Sequence, residues 1–441
     1  MSRKLLYGFG LLVLCTLGAQ AQAVQQQSGD EAASPKRYAN TPPAVVPYRQ
    51  FAQPYVQYFL EPIEYLGGAR DKKTPEVEEV RLGLLAPLEN NPEMPFGLQM
   101  KKGAVLALEE ANARGGYQGR PFVLMEHNDQ AFWGASSNEM VKMDGEGVWA
   151  ILGSVDGSST HIILRVSLKL EIPIVNTAST DPTVTETNLP WVVRTFIDDR
   201  QQGYTLAHYI YEVLGLKRIG ILRVNARYGR MGVVKLADAA RRLGRPVVLQ
   251  TKYERGSQDF SQQLRMLQAA NVEGIVLWGE APEAGQILQQ MRAAGMTQPV
   301  FGGDRLVTEE LLQIAGPAAE GLVATYTYDP NRQDPRLETF RKNFRQRFGE
   351  EPDHFAVHAY DGMNMLIEAV QKAGLNRGRI RDALTEYTSY DGIAGRAILD
   401  ATHNNIAPPT LAVVREGRFV FQPAYMETQR AGANDADNAT R

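Results

Sequence analysis

Three hydroxyl residues in succession, Ser158, Ser159 and Thr160, follow Gly157 where an apolar strand gives way to a helical pattern. At such a junction the free backbone N–H groups and the positive helix end attract an anion, and hydroxyls add donors. A ligand carboxylate fits there, whereas an ordinary helix N-cap needs only one such residue. Ala178, Ser179 and Thr180 stand just after the buried strand IPIVN. Open α/β sheets hold their ligands outside the carboxyl ends of strands, so these three residues are candidates for ligand contact; a simple turn before Pro182 is the alternative. His354 and His358 lie four apart on one helix face, a spacing able to chelate a metal. No cysteine or third nearby histidine completes such a site, and HFAVH is not a zinc-protease helix, so no metal is expected and packing within a partly buried helix explains the pair better.

Motifs for turnover are missing. GSVDGSST has the glycines of a phosphate loop but not the lysine that would reach the phosphates. No G-x-G-x-x-G opens a helix after the leader, and no G-x-S-x-G supplies a nucleophile elbow. Binding without catalysis, and without a cofactor, is the expectation.

The elements that must position these residues repeat with a regular alternation from Glu79 onward. VRLGLLAP, FVLMEHND, WAILG and IPIVN read as strands, separated by helical stretches over 97–114, 135–145 and 158–170. A second series follows: helix 200–215, strand RIGILRV, helix 229–243, strand PVVLQTKY, helix 259–270, strand GIVLW and helix 282–294. After GLVATYTY come helices 335–348 and 354–373, then short strands near 411–422. Apolar runs alternating with amphipathic stretches are the mark of βαβ units, so the fold class is α/β, with two doubly wound lobes built on parallel sheets. At 441 residues and 44% hydrophobic content the chain can bury cores of that size.

The two ends differ from this body. Arg3 and Lys4, a largely apolar run from Leu5 to Leu17, and small residues through Ala23 have the layout of a secretory leader, so residues 1–23 are read as a signal peptide and the location as periplasmic. The only cysteine, Cys15, falls inside that run, so the mature chain has no disulfide. Leu14 stands where a lipid-anchored precursor would carry a small residue, which favours a soluble mature form, and no later stretch is long and apolar enough to span a membrane. Residues 24–78, rich in proline, glutamine and scattered aromatics, are read as an arm whose aromatic second half packs on its own lobe or a partner, and 425–441 as a disordered tail. Losing Arg3 and Lys4 takes the basic count from 47 to 45 against 50 acids, with both signs interspersed, so no nucleic-acid partner is expected.

From about Val80 to Pro423 the chain resembles the branched-chain amino-acid and amide-binding family of periplasmic solute-binding proteins, of the type I fold. The resemblance rests on FGLQMKKGAVLALEEANARGG, SSTHI, IPIVNTASTDPTVTE, the Tyr228-Gly229 pair, VFGGDRL and AYDGM, in that order. It implies two lobes, 79–198 with 330–398 and 199–329 with 399–424, joined by three crossovers near Asp198, Asp329 and Leu399, with a ligand cleft between them. By residue match, Ala178 offers a carbonyl to a ligand ammonium and Thr180 a hydroxyl to its carboxylate. Asp304 falls where the family carries an acid that pairs with the ammonium; branched-chain binders usually have Glu there, so the shorter Asp leaves the ligand's identity open. Phe96 and Tyr228 match aromatics that cover the ligand from either lobe, and Trp278 ends a strand aimed at the same cleft, with core packing as its alternative. ENNPEMPF, with Glu89 and Glu93, either lines the cleft with acid or solvates its rim, and the rim is the expectation. The implied partners are a small amino-acid-like or amide ligand and the membrane permease of an ABC transporter. The other use of the same fold is a sensor or a regulator of envelope enzymes, which the unusual arm keeps open.

Overall fold

The structure is a computed structural model, and it describes residues 65 and 67–424. The leader with Cys15, the arm before Tyr65 and the tail lie outside the described residues. In the first half β1 (Val80–Ala86), α1 (Met94–Ala113), β2 (Phe122–Asn128), α2 (Trp133–Gly145), β3 (Ala150–Gly153), α3 (Gly157–Leu170), β4 (Ile174–Asn176), the single turn α4 (Thr183–Glu186) and β5 (Val192–Arg194) alternate. Their sheet has the order β2-β1-β3-β4-β5 with every pair parallel. Helices cover both faces, which is why β1, β3 and β4 are near-continuous apolar runs rather than alternating ones.

The second half continues with α5 (Asp199–His208), β6 (Ile219–Val224), α6 (Arg227–Arg242), β7 (Leu249–Tyr253), α7 (Ser261–Ala269), β8 (Gly274–Trp278), α8 (Ala281–Ala293), β9 (Val300–Gly302), α9 (Glu309–Ala315) and β10 (Val323–Tyr326). Next come α10 (Pro335–Phe348), α11 (His354–Ala373), α12 (Arg377–Thr385), the hairpin β11 (Ser389–Gly392) and β12 (Gly395–Ile398), then β13 (Thr410–Arg415) and β14 (Arg418–Pro423). The second sheet runs β14-β13-β10-β9-β8-β6-β7, parallel from β7 to β10 and antiparallel where β13 and β14 are added. The chain therefore passes between the sheets three times, after β5, after β10 and after β12.

Helix 200–215 is shorter than its pattern suggests: the α-helix stops at His208 and a π-helical turn, Tyr209–Val213, follows. The hairpin and α12 were not legible from periodicity, because RGRIRDALT carries few apolar residues and its buried face packs between the lobe core and the docked arm. That docking is specific. The Tyr65 hydroxyl donates to Glu171 at 2.8 Å and its ring meets Trp191 edge-on at 4.9 Å, while Arg70 forks onto both oxygens of Asp382 at 2.5 and 2.8 Å. The described end of the arm, Tyr65 and 67–78, thus packs on its own lobe, and the rest of its aromatic half lies outside the described residues. Among the described residues no helix is long and apolar enough to cross a membrane.

Helices α1 and α11 cross at Gly103, where a Cβ would overlap the carbonyl of Ala356. The approach brings Phe96, at the start of α1, against Phe355, at the start of α11, with ring centroids 4.7 Å apart. Gly103→Ala gains about 1 kcal/mol of helix propensity, but the backbone it meets cannot yield without separating the helices. A net loss of about 1–3 kcal/mol is expected in urea unfolding. An unchanged midpoint would show that the two helices part at no cost.

Candidate functional site

The cleft lies between the carboxyl ends of the two sheets, and each of its segments is the loop after a strand. The loop after β3 ends in Asp156, whose carboxylate caps α3 by accepting from the backbone N–H of Ser158 at 2.8 Å and Ser159 at 2.9 Å. The anion place expected at Ser158 to Thr160 is thus filled by the chain's own acid. Thr160 turns inward, donating to the Asp156 carbonyl at 2.8 Å, and the buried Ser159 hydroxyl makes no hydrogen bond among the described residues. Burial first, then the charge of Glu93, pushes the Asp156 carboxyl above its ordinary range.

Ala178, Ser179 and Thr180 are buried. Ser179 N–H donates to Asn176 at 3.1 Å, its carbonyl accepts from Arg194, and the Thr180 carbonyl accepts the N–H of Asp199 at 2.7 Å. That last bond pins the loop after β4 to the first crossover.

Asp304 follows β9 and is fully buried. Its Oδ1 accepts from Gln202 at 3.1 Å and from the Tyr228 hydroxyl at 3.0 Å, while its Oδ2 accepts no hydrogen bond and has His354 Nε2 at 3.7 Å. Burial opposes its ionisation, but His354, Arg305 and Gln202 outweigh that and hold the carboxyl below the usual carboxylate range. His358, one turn along α11, is pushed by burial and by His354 down to about 3, so it is a neutral core residue. The two histidines that periodicity placed on one face serve different neighbours: His354 faces Asp304, and His358 meets the ring of Phe196 edge-on at 4.7 Å.

Phe96 and Tyr228 do face one another across the cleft, but the guanidinium of Arg305 lies between them, 4.9 Å from the first ring and 4.1 Å from the second. Arg305 Nη1 contacts Glu280 at 2.9 Å and Glu93 at 3.3 Å, and Arg255 reaches the same two acids at 2.5 and 3.4 Å. Burial alone would lower the Arg305 pKa; Glu93 and then Glu280 raise it, so it stays charged. Glu93 is therefore inside the cleft and corrects its reading as rim, while Glu89 is exposed. Trp278 is also corrected. It is fully buried behind Tyr228, with its ring against Gly232 and Gly303, so it backs the cleft rather than lining it.

Two residues that the sequence did not single out belong to the site. Asp199, the first residue of α5, is fully buried with Oδ2 accepting no hydrogen bond, and burial, then the charge of Asp304, pushes it well above the usual carboxylate range. Arg305 was visible only as the neighbour of Asp304. Gly157, Thr180, Asp199, Tyr228 and Arg305 line a narrow, partly open cavity of 10 Å³. On the other side of Arg305 a groove of 780 Å³ opens, walled by Phe96, Tyr326, Tyr328, Phe355 and Phe421. Among the described residues no cluster of three or more His, Cys, Asp or Glu side chains suits a metal ion.

Comparison with known proteins gives this geometry a context. The sequence pattern of a family described as periplasmic binding protein matches residues 79–418. A Leu/Ile/Val-binding protein homolog 2 of Brucella abortus is 30% identical over 342 residues, covering 77% of this chain and 91% of the relative. An amino acid binding protein of Pseudomonas aeruginosa is 32% identical over 314 residues, covering 69% of this chain and 81% of the relative. Among solved structures, a leucine binding protein from Thermotoga maritima superposes with a TM-score of 0.71 at 26% identity, covering 78% of this chain and 97% of its own.

Proposed function

The chain belongs to the periplasmic binding protein family, and from that premise we propose that it is the extracytoplasmic solute-binding component of an ABC transporter. It captures a small amino-acid-like or amide ligand and performs no chemistry on it. The observation that carries this reading is the set of buried polar atoms around one cleft that make no hydrogen bond within 3.5 Å: Ser159 Oγ from the first sheet's helices, and Asp199 Oδ2, Asp304 Oδ2, which has only His354 at 3.7 Å, and Arg305 Nε from the crossover and the second sheet. Buried polar groups are normally paired, and a ligand with an ammonium and a carboxylate supplies what these lack.

The mechanism follows from the topology. The lobes, 79–198 with 330–398 and 199–329 with 399–424, hinge at the three crossovers. A ligand that touches both lobes stabilises the closed state by the contacts it makes only there. Asp199 and Asp304 meet its ammonium, and Thr180 with the Ser159 hydroxyl meets its carboxylate. The signal peptide delivers the chain to the periplasm, and a membrane permease receives the closed form.

A thermal-shift screen of the twenty amino acids and simple amides tests this. Ligand at a hundredfold its Kd stabilises by about 2.7 kcal/mol, enough to raise the melting temperature by several degrees. Small-angle scattering with the same compound is expected to show contraction. If no compound shifts the melting curve, transport of such solutes is ruled out and the regulator reading takes its place.

A further inference from the structure

Resting on the solute-binding reading, we propose that the ligand's side chain ends in a neutral carboxamide and that Arg305 with Glu93 is the pair that recognises it. The amide oxygen accepts from Arg305 and the amide nitrogen donates to Glu93. Glutamine and asparagine are the compounds of this class among the common amino acids.

Three observations converge on this chemistry. The cavity beside Thr180 and Asp199 is lined by Arg305, whose partners Glu93 and Glu280 are buried with it. A branched aliphatic side chain needs an apolar wall there, and methyl groups set against a desolvated ion cluster leave its charges with fewer partners. The cluster is also balanced, two arginines against two glutamates. A charged ligand side chain would enter it unpaired, and an anionic one would in addition face Asp156. Finally, the cluster holds one unpartnered donor and one unpartnered acceptor, Arg305 Nε and Glu93 Oε2. A carboxamide offers one acceptor and one donor group on a single planar unit.

The placement of the pair ties recognition to closure. Glu93 belongs to the loop after β1 and Arg305 to the loop after β9, so they arrive from opposite lobes. Their direct contact, 3.3 Å, is longer than the roughly 2.7–2.9 Å of a good charge-assisted hydrogen bond, whereas Arg305 reaches Glu280 within its own lobe at 2.9 Å. A carboxamide inserted between Arg305 and Glu93 replaces that long contact with two ordinary hydrogen bonds, one to each lobe.

The test is isothermal titration of the full chain with glutamine, asparagine, leucine, isoleucine and glutamate, repeated on Arg305→Met/Glu93→Gln. That double variant conserves volume and leaves Glu280 paired with Arg255. The wild type is expected to bind glutamine or asparagine at least tenfold more tightly than leucine or glutamate, and the double variant to lose that preference. Should it not fold, Arg305→Lys keeps the cation but removes the Nε donor, and the same loss of preference is expected. Leucine or isoleucine binding the wild type as tightly as the carboxamides, or an unchanged order in the variants, overturns the proposal and leaves solute binding standing. Failure of glutamine and asparagine to bind the wild type overturns the proposal, and only failure of every compound in the thermal-shift screen overturns solute binding as well.

Discussion

Arg194→Met is expected to lower the free energy of unfolding by about 3–5 kcal/mol, the range seen when one member of a buried ion pair is removed. Arg194 ends β5 and is fully buried. Its Nε donates to Asn404 at 2.8 Å, Nη1 to the Asp181 carbonyl at 2.5 Å, and Nη2 to Asp198 at 2.8 Å and Thr185 at 3.0 Å. Asp198 also accepts from Asn404 at 3.1 Å and caps α5. One guanidinium thus holds together the loop after β4, the first crossover and the third. Methionine fills the space but leaves Asp198 as a buried charge with its cation gone. Lysine is expected to rescue little, because a point cation with three donors cannot copy a planar fork with five. Urea unfolding measures the loss, and a cost below about 1 kcal/mol would mean that the hinge is held by its backbone bonds alone. The same variant should weaken ligand binding, since Arg194 also holds the loop that carries Ser179 and Thr180.

Asp199→Asn is expected to move stability and binding in opposite directions. The carboxylate is fully buried, its Oδ2 accepts no hydrogen bond within ordinary distance, Oδ1 has a 3.5 Å contact with Gln202, and the Thr180 side chain offsets the burial in part. Asp304 nearby adds repulsion. Removing the charge relieves both penalties, so the ligand-free protein should melt at the same temperature or higher. On the proposed reading a ligand ammonium is held by that charge, and removing one partner of a buried charge pair typically costs about 2–5 kcal/mol of binding. Titration with the compound found in the thermal-shift screen reads this directly. Binding as tight as wild type would show that no cation sits at Asp199. Asp304→Asn is the companion measurement and is less clean, because Asp304 also satisfies the Tyr228 hydroxyl and Gln202, so part of any effect comes from the fold.

Much of the architecture was legible before any coordinates, and for a physical reason. Strands covered on both faces must be apolar throughout, and helices lying on them must be amphipathic, so β1, β3, β4 and β8 and helices α1, α10 and α11 were readable by periodicity alone. Segments whose burial depends on a distant partner were not, and α12 with its docked arm is the clearest case.

At the cleft the division is sharper. Residue type and place in the βαβ pattern were enough to select Ala178 to Thr180, because ligand loops must follow strand ends, whereas Tyr228 and Asp304 were selected only by the family resemblance. What those residues face was decided only by the closing of two lobes. The tertiary structure turned Asp156 onto α3, set Trp278 behind Tyr228 and drew Glu93 in from the rim. It also brought Arg305 between two aromatic rings and left Asp199 beside Asp304. Each of these depends on charges and rings that are scores of residues apart in the chain. Local pattern carries burial and direction, but the pairing of charges across a cleft is a property of the fold.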